Sequence, residues 1–296
     1  MLMMLVIIGV IYVCALFPII PFLVANIGKV VSWGIKDIYL YVKHKRYNEC
    51  RDFGRVITIC ADGSSVFGSG KTLSGVHSLR YLYNHYNGLK VWNDTEQRFV
   101  TQHIHIISNV ELTDIPYIPF ENEKQLIEVN QPEMDVTFFF LDEASTIWNS
   151  RNYKDNISHE LLTNLLQCRK NKIALITTSQ RFIFQDKLIR EITSVVWQAK
   201  KMWRIQQLKT YDAFAMENCS NPMLLKPLTT SFWFITDDDF KAYDTNAVVE
   251  RLKKKNEEGG FISNQEILEA QGERSDSVEV VSGLSKKGRK RIKPRK

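Results

Sequence analysis

Residues 63–72 read Gly63-Ser-Ser-Val-Phe-Gly68-Ser69-Gly70-Lys71-Thr72. The preceding stretch Arg55–Cys60, RVITIC, has the apolar, β-branched character of a short buried strand. The following stretch from Lys71 to Tyr86 reads as a helix. Strand, glycine-rich loop and helix in that order make a phosphate-binding P-loop. Small residues let the backbone curl so that its N–H groups face phosphate oxygens, and the helix N-terminus adds positive dipole. Lys71 is then placed to reach β- and γ-phosphates, and the Thr72 hydroxyl to ligate Mg²⁺. The usual first glycine of such a loop would fall at Ser65, whereas Gly63 lies two residues earlier. Ser65, Gly68, Ser69, Gly70, Lys71 and Thr72 form the candidate nucleotide-binding set, with ATP as the nucleotide and Mg²⁺ as its metal.

A second segment completes the first. Phe138-Phe-Phe-Leu-Asp142-Glu143 is a wholly apolar run ending in two acids, the Walker B arrangement. Asp142 would hold Mg²⁺ through water, and Glu143 would orient and polarise an attacking water. An acid after an apolar strand is common by itself. Together with a P-loop upstream it points to an ATPase.

A third strand, Ile173–Thr177 (IALIT), runs into Thr-Ser-Gln180. A polar residue at the end of a strand beside the Walker B strand can sense a γ-phosphate, and Gln180 fits that role. Arg169 and Arg190 are candidates for a charge-stabilising arginine acting on a neighbouring subunit; a surface ion pair is the alternative for either.

Outward from these segments, His103–Ser108 (HIHIIS) reads as a further strand, with weaker ones at Val195–Gln198 and Ser231–Ile235. Ser158–Lys170 reads as helix. Apolar strands alternating with helices predict an α/β fold, a mostly parallel sheet flanked by helices on both faces, of the P-loop NTPase type. This body is expected over residues 52–240.

Met1–Ala25, MLMMLVIIGVIYVCALFPIIPFLVA, carries no charged residue. About 20 apolar residues suffice to cross a bilayer core, so residues 1–26 are expected to form an N-terminal transmembrane helix. A cleaved signal peptide would call for a basic segment before the apolar run, and none precedes it. Lys29, Lys36, Lys43, Lys45 and Arg46 all follow the run, which places the rest of the chain in the cytoplasm by the positive-inside rule. Residues 27–51 read as a basic, amphipathic stalk with Trp33, Tyr39 and Tyr41.

The 296 residues carry 39 Lys and Arg against 33 Asp and Glu, a net charge of +6. The excess sits at one end. Lys286, Lys287, Arg289, Lys290, Arg291, Lys293, Arg295 and Lys296 fall within the last eleven residues, with no acid among them. Such a cluster binds nucleic-acid phosphates or anionic lipid. Residues 241–258 read as a charged surface helix, and residues 259–296 as a polar tail ending in that cluster. At 44% apolar and 24% charged residues, the composition excludes wholesale disorder, collagen and a multi-span transporter. Five cysteines, Cys14, Cys50, Cys60, Cys168 and Cys219, lack CxxC spacing, and the histidines lack an HExxH, which argues for a reducing compartment and against a zinc site.

These motifs in order resemble the zonula-occludens-toxin-type ATPases, which include the filamentous-phage assembly ATPase, within the FtsK/HerA branch of P-loop motors. The resemblance covers about Val56 to Gln198. Beyond the Walker motifs it rests on Ile106-Ile-Ser-Asn109-Val-Glu-Leu, Asp142-Glu143-Ala144 with Trp148-Asn-Ser-Arg151, Leu166-Gln-Cys-Arg169-Lys170 with Thr177-Thr-Ser-Gln180, and Asp186-Lys-Leu-Ile-Arg190-Glu. It implies a membrane-attached motor that hydrolyses ATP to extrude or package single-stranded phage DNA at the host inner membrane. It also implies a ring-shaped homo-oligomer, often a hexamer in related members, working with phage coat and assembly proteins. The roles of Lys71, Thr72, Asp142, Glu143 and Gln180 carry over residue by residue; Arg169 and Arg190 carry over less directly. The order of parts departs from the better-known members, which place the ATPase before the membrane helix. An anchor-first chain is expected to leave nothing substantial outside the membrane, so contact with an outer-membrane secretin is not expected. Double-stranded DNA packaging or conjugative transfer, and a membrane-tethered scaffold whose nucleotide site is structural, are the alternatives.

Overall fold

The computed structural model describes residues 17, 19–63, 67–129, 131–148, 157–219, 221 and 224–244. In chain order the elements are α1 (Ile19–Ala25), α2 (Ile27–Lys43), β1 (Arg55–Ala61), α3 (Lys71–Tyr86), β2 (Lys90–Asn93), β3 (Arg98–Thr101), β4 (Ile104–Ser108), β5 (Glu111–Leu112), β6 (Ile118–Pro119) and α4 (Lys124–Ile127). Then come β7 (Val136–Leu141), α5 (Ala144–Ile147), α6 (His159–Leu166), β8 (Ile173–Ser179), α7 (Lys187–Ile192), β9 (Thr193–Met202), β10 (Ile205–Asp212), α8 (Ala213–Asn218), β11 (Thr229–Phe234), α9 (Asp237–Lys241) and β12 (Tyr243–Asp244).

Eight strands form one sheet in the order β11-β10-β9-β1-β8-β7-β4-β6. The six from β9 to β6 are parallel, and β10 and β11 add an antiparallel edge. The chain is thus a mostly parallel α/β sheet with flanking helices. β8 lies between β1 and β7, so the loop after β1 and the acids after β7 stand on either side of one strand end.

The central strands are buried because both faces of the sheet are covered. In β7 all six residues are buried. Successive side chains of a strand point to opposite faces. Phe138 and Phe140 pack into the core with Val76 and Leu79 of α3. Phe139 and Leu141 pack into the other core with Leu161 and Leu165 of α6 and Ile189 of α7. Removing each such side chain from water contributes about 1.5–3 kcal/mol, so the FFFL run fastens helices to both faces. A third cluster, Cys60, Phe182, Val196, Tyr211, Ala213 and Met216, seats α8. At Gly75 of α3 a Cβ would lie 2.2 Å from the Phe140 ring, so the helix sits closer to the sheet than any larger residue permits.

Several elements differ from the sequence expectations. β10, IQQLKTYD, has no apolar run; it is a half-buried strand stabilised by pairing on both sides. β9 extends beyond Val195–Gln198 at both ends, and β2 and β3 form a separate hairpin. The charged helix expected from Lys241 does not begin there: α9 ends at that residue, and Tyr243 and Asp244 pair with Leu112 and Glu111. Residues 245–296, including the rest of that helix and the basic cluster, lie outside the described residues.

The N-terminal region also differs from one straight span. α1 and α2 meet at an 85° bend, and among the described residues no single helix is long and apolar enough to cross a membrane. Residues 1–16 and 18 of the expected anchor lie outside the described residues. α2 buries none of its residues. Trp33, Tyr39 and Tyr41 are exposed on it, and the Lys36 ammonium sits 5.0 Å from the Trp33 ring.

Candidate functional site

The parallel strands β1, β8, β7 and β4 end side by side, and the crevice beyond such ends is where open α/β sheets bind ligands. β1 releases the chain into the glycine-rich loop. Gly68 and Gly70 have φ of +69° and +81°, the left-handed region that glycine enters without steric cost. They turn the backbone directly into α3, whose first residues are Lys71 and Thr72. The opening N–H groups of a helix have no partner within it. Ser69 is buried, and its hydroxyl has no hydrogen-bond partner among the described residues. Ser65 lies outside the described residues.

Asp142 meets this loop across the end of β8. Its Oδ1 accepts from the Thr72 hydroxyl at 2.9 Å and from the Thr178 hydroxyl at 2.6 Å. Burial pushes the Asp142 carboxyl above the usual carboxylate range. The Thr178 and Thr72 hydrogen bonds and the Lys71 charge act in the opposite direction, while Glu143 adds to the rise. A desolvated carboxylate beside a threonine hydroxyl is a donor set suited to Mg²⁺, which takes one or two protein oxygens and completes its shell with water and phosphate. The residues present therefore fit the metal and nucleotide that the motifs imply.

Glu143 follows in a left-handed conformation, φ +49°. Its N–H donates to Thr178 Oγ1 at 2.8 Å, and its carboxylate accepts from Gln180 Nε2 at 3.4 Å. The Gln180 carboxamide oxygen is buried without a hydrogen-bond partner among the described residues. Thr178 thus ties Asp142 and the adjacent acid to one strand end.

Solved structures similar to this chain include a zonular occludens toxin domain and a viral genome-packaging NTPase. The N-terminal domain of zonular occludens toxin from Neisseria meningitidis matches at 16% identity and a TM-score of 0.42, over 65% of this chain and 100% of that one. The genome packaging NTPase B204 from Sulfolobus turreted icosahedral virus 2, in complex with ATP-gammaS, matches at 10% identity and a TM-score of 0.35, over 62% of this chain and 97% of that one. No protein-family model and no curated protein matches the chain.

The two arginines lie elsewhere. Arg169 follows α6 near the start of β8, where its Cα and Cβ lie against Gly54; a Cβ there would come within 2.7 Å. Gly54 precedes β1, so Arg169 sits at the opposite end of the central strands from the loop. Arg190 pairs with Glu217 at 3.0 Å and donates to the Ile183 carbonyl at 2.8 Å. Within this chain it forms an ion pair, the alternative reading. Neither arginine enters the crevice beyond the strand ends. Arg151 and the eight basic residues of the C-terminal cluster lie outside the described residues.

Three residues with no role assigned from sequence belong to the site. Thr178 is one, selected over Thr177 because alternation sends Thr177 to Thr58 and Gln185 instead. Asn109 is another: it brackets the Asp142 backbone with two hydrogen bonds. The third is Gln206 of β10, whose side chain holds the loop.

Proposed function

We propose that this chain is a membrane-attached P-loop ATPase that drives phage DNA extrusion or virion assembly from the cytoplasmic face of the host inner membrane. The observation that carries the ATPase is the convergence of Thr72, Thr178 and Asp142 at one point, with Glu143 and Gln180 beside it. The bound nucleotide with its Mg²⁺ supplies the phosphoanhydride that is cleaved. Lys71 offsets the negative charge of the terminal phosphates. The Thr72 hydroxyl would ligate the Mg²⁺, and the Asp142 carboxylate would hold it through water. Glu143 orients a water and accepts its proton, and Gln180 holds the Glu143 carboxylate in place through its amide.

The cargo and partners follow from the resemblance of the motifs, read in order, to phage assembly ATPases. They are single-stranded phage DNA, phage coat and assembly proteins, and further copies of this chain in a ring. Arg169, at the opposite end of the central strands, is the freer of the two arginines to act on a neighbouring subunit, because Arg190 is engaged with Glu217. Membrane attachment is favoured by α2, an unburied helix with exposed Trp33, Tyr39 and Tyr41 and the cations Lys29, Lys36 and Lys43. Aromatic rings and lysines of this kind settle at a bilayer interface.

The test is complementation of virion output by the wild type and by Lys71→Ala at equal expression. Loss of output with Lys71→Ala is expected. Full output from that variant would leave the nucleotide site a structural one. Stimulation of hydrolysis by duplex rather than single-stranded DNA would move the cargo to a packaged double-stranded genome.

A further inference from the structure

Gln206 lies in β10, 137 residues from Ser69 in sequence, and is fully buried. Its Nε2 donates to the Ser69 carbonyl at 3.0 Å. Its carboxamide oxygen stands 2.3 Å from where a Cβ of residue 70 would be, so the amide lies flat against Gly70. That oxygen and the Ser69 hydroxyl are both buried without a hydrogen-bond partner among the described residues.

The Ser69 carbonyl and the Gly70 N–H belong to one peptide plane. In a trans peptide the two point in opposite directions. A side chain that fixes the carbonyl on the β10 side therefore aims the Gly70 N–H to the far side, toward the space that phosphates occupy in a P-loop. The other end of the loop is held by the same strand, because Lys209 of β10 pairs with Asp62 at 3.4 Å. Three residues before Gln206, the turn from β9 to β10 presents Trp203, which is 77% exposed with φ +54° and stands edge-on to Phe234. Met202 and Ile205 close that turn as a cross-strand pair.

We propose that Gln206 is a positioning residue for the phosphate loop, and that β10 carries the loop's nucleotide state to the Trp203 turn. The proposal rests on the nucleotide-binding reading of the site. Residue 206 sets the direction of one N–H, and the strand that bears it links both ends of the loop to an exposed aromatic turn.

The experiment uses the full chain in nanodiscs. ATPγS and AMP affinities are compared for wild type, Gln206→Met, which keeps the length but lacks the donor, and Gln206→Asn. Trp203 fluorescence is read as the difference between each protein and its Trp203→Phe counterpart. Gln206→Met is expected to weaken ATPγS at least about tenfold, to change AMP affinity less than about twofold, and to lose the nucleotide-induced Trp203 signal at saturation. Partial recovery in Gln206→Asn is expected, since the donor is retained on a shorter stem. Wild-type ATPγS affinity and an unchanged Trp203 response in Gln206→Met would overturn the proposal, as would equal losses for ATPγS and AMP. If Gln206→Met does not fold, amide exchange over residues 203–208 in the wild type decides: slowing by ATPγS supports the link, and no change overturns it. A wild type that binds no nucleotide would instead remove the site reading and this proposal with it.

Discussion

The side chain of Asn109 brackets the backbone of Asp142: its amide donates to the Asp142 carbonyl at 2.9 Å, and its oxygen accepts the Asp142 N–H at 2.8 Å. Asn109 leaves the end of β4, the strand beside β7, so the carboxylate is aimed by a neighbouring strand end as well as by its own. Asn109→Ala leaves both backbone groups without that partner. A hydrogen bond of this kind contributes about 0.5–1.5 kcal/mol, and a buried group left unpaired costs about 1–3. Thermal unfolding is expected to drop by a few degrees, and hydrolysis to fall more than nucleotide affinity. An unchanged turnover would show that β7 alone aims Asp142.

Ionising Asp142 carries a cost, since burial raises its carboxyl above the ordinary value. A raised folded-state value means that stability falls as pH climbs from below the unfolded value through the folded one. Asp142→Asn keeps the shape and removes the desolvated charge. The nucleotide-free variant is expected to melt about 2–4 °C higher for each kcal/mol relieved, while Mg²⁺-dependent hydrolysis disappears. Scanning calorimetry without nucleotide, alongside a hydrolysis assay, checks both halves. A lower melting temperature would contradict the assigned cause.

The Glu143 carboxylate takes no part in the Thr72–Asp142–Thr178 contacts, so Glu143→Gln is expected to bind ATP with near wild-type affinity. Loss of a general base of this kind lowers turnover by about 10²–10⁴-fold. Single-turnover hydrolysis measures this directly. Equal losses in affinity and turnover would mean that the residue serves binding rather than water activation.

Gly75 lets α3 approach Phe140, with 2.2 Å between a would-be Cβ and the ring. Gly75→Ala is expected to destabilise by about 1–3 kcal/mol through overpacking. The double variant with Phe140→Leu is expected to recover part of it. Additive losses in urea titrations would rule out the contact as the cause.

Burial pushes the Cys60 thiol up to about 12 and the Cys50 thiol to about 11, against an ordinary 9.0. Unfolded thiols ionise first, so their contribution to stability is full below pH 9 and is lost as pH rises toward those values. Melting temperature is expected to fall as pH rises from 9 toward 11, with a shallower slope in Cys60→Ala whatever its absolute stability. Identical slopes would assign the alkaline loss to other groups.

The parts legible in sequence are those whose signal is local. β1, β7 and β8 are buried on both faces, so each appears as a continuous apolar run. The loop and the Asp142-Glu143 pair are contiguous with those runs. β10 was not legible, because a strand that pairs on both sides and faces solvent in part reads IQQLKTYD, without an apolar run. The Gln206–Ser69 bond has no sequence signature at all, since it depends on sheet order placing β10 over the start of α3. Thr178 could be told from Thr177 only once the facing of β8 was known. Between the two readings open for Arg190, a charge-stabilising arginine or an ion pair, its partner Glu217 lies 27 residues on in α8, too far along the chain for the sequence to show the pairing. The bend between α1 and α2 falls at Asn26, the last residue of the expected anchor, where the apolar run gives way to the basic stalk.

On the proposed reading, the crevice beyond β1, β8 and β7 binds and cleaves ATP. The direct test is ATP hydrolysis by the purified full chain in nanodiscs, with Mg²⁺ and with EDTA, beside Lys71→Ala. Phosphate release that needs Mg²⁺ and is lost in Lys71→Ala is the result expected. A folded wild type that releases no phosphate, with or without single-stranded DNA, or a Lys71→Ala variant as active as wild type, would contradict it.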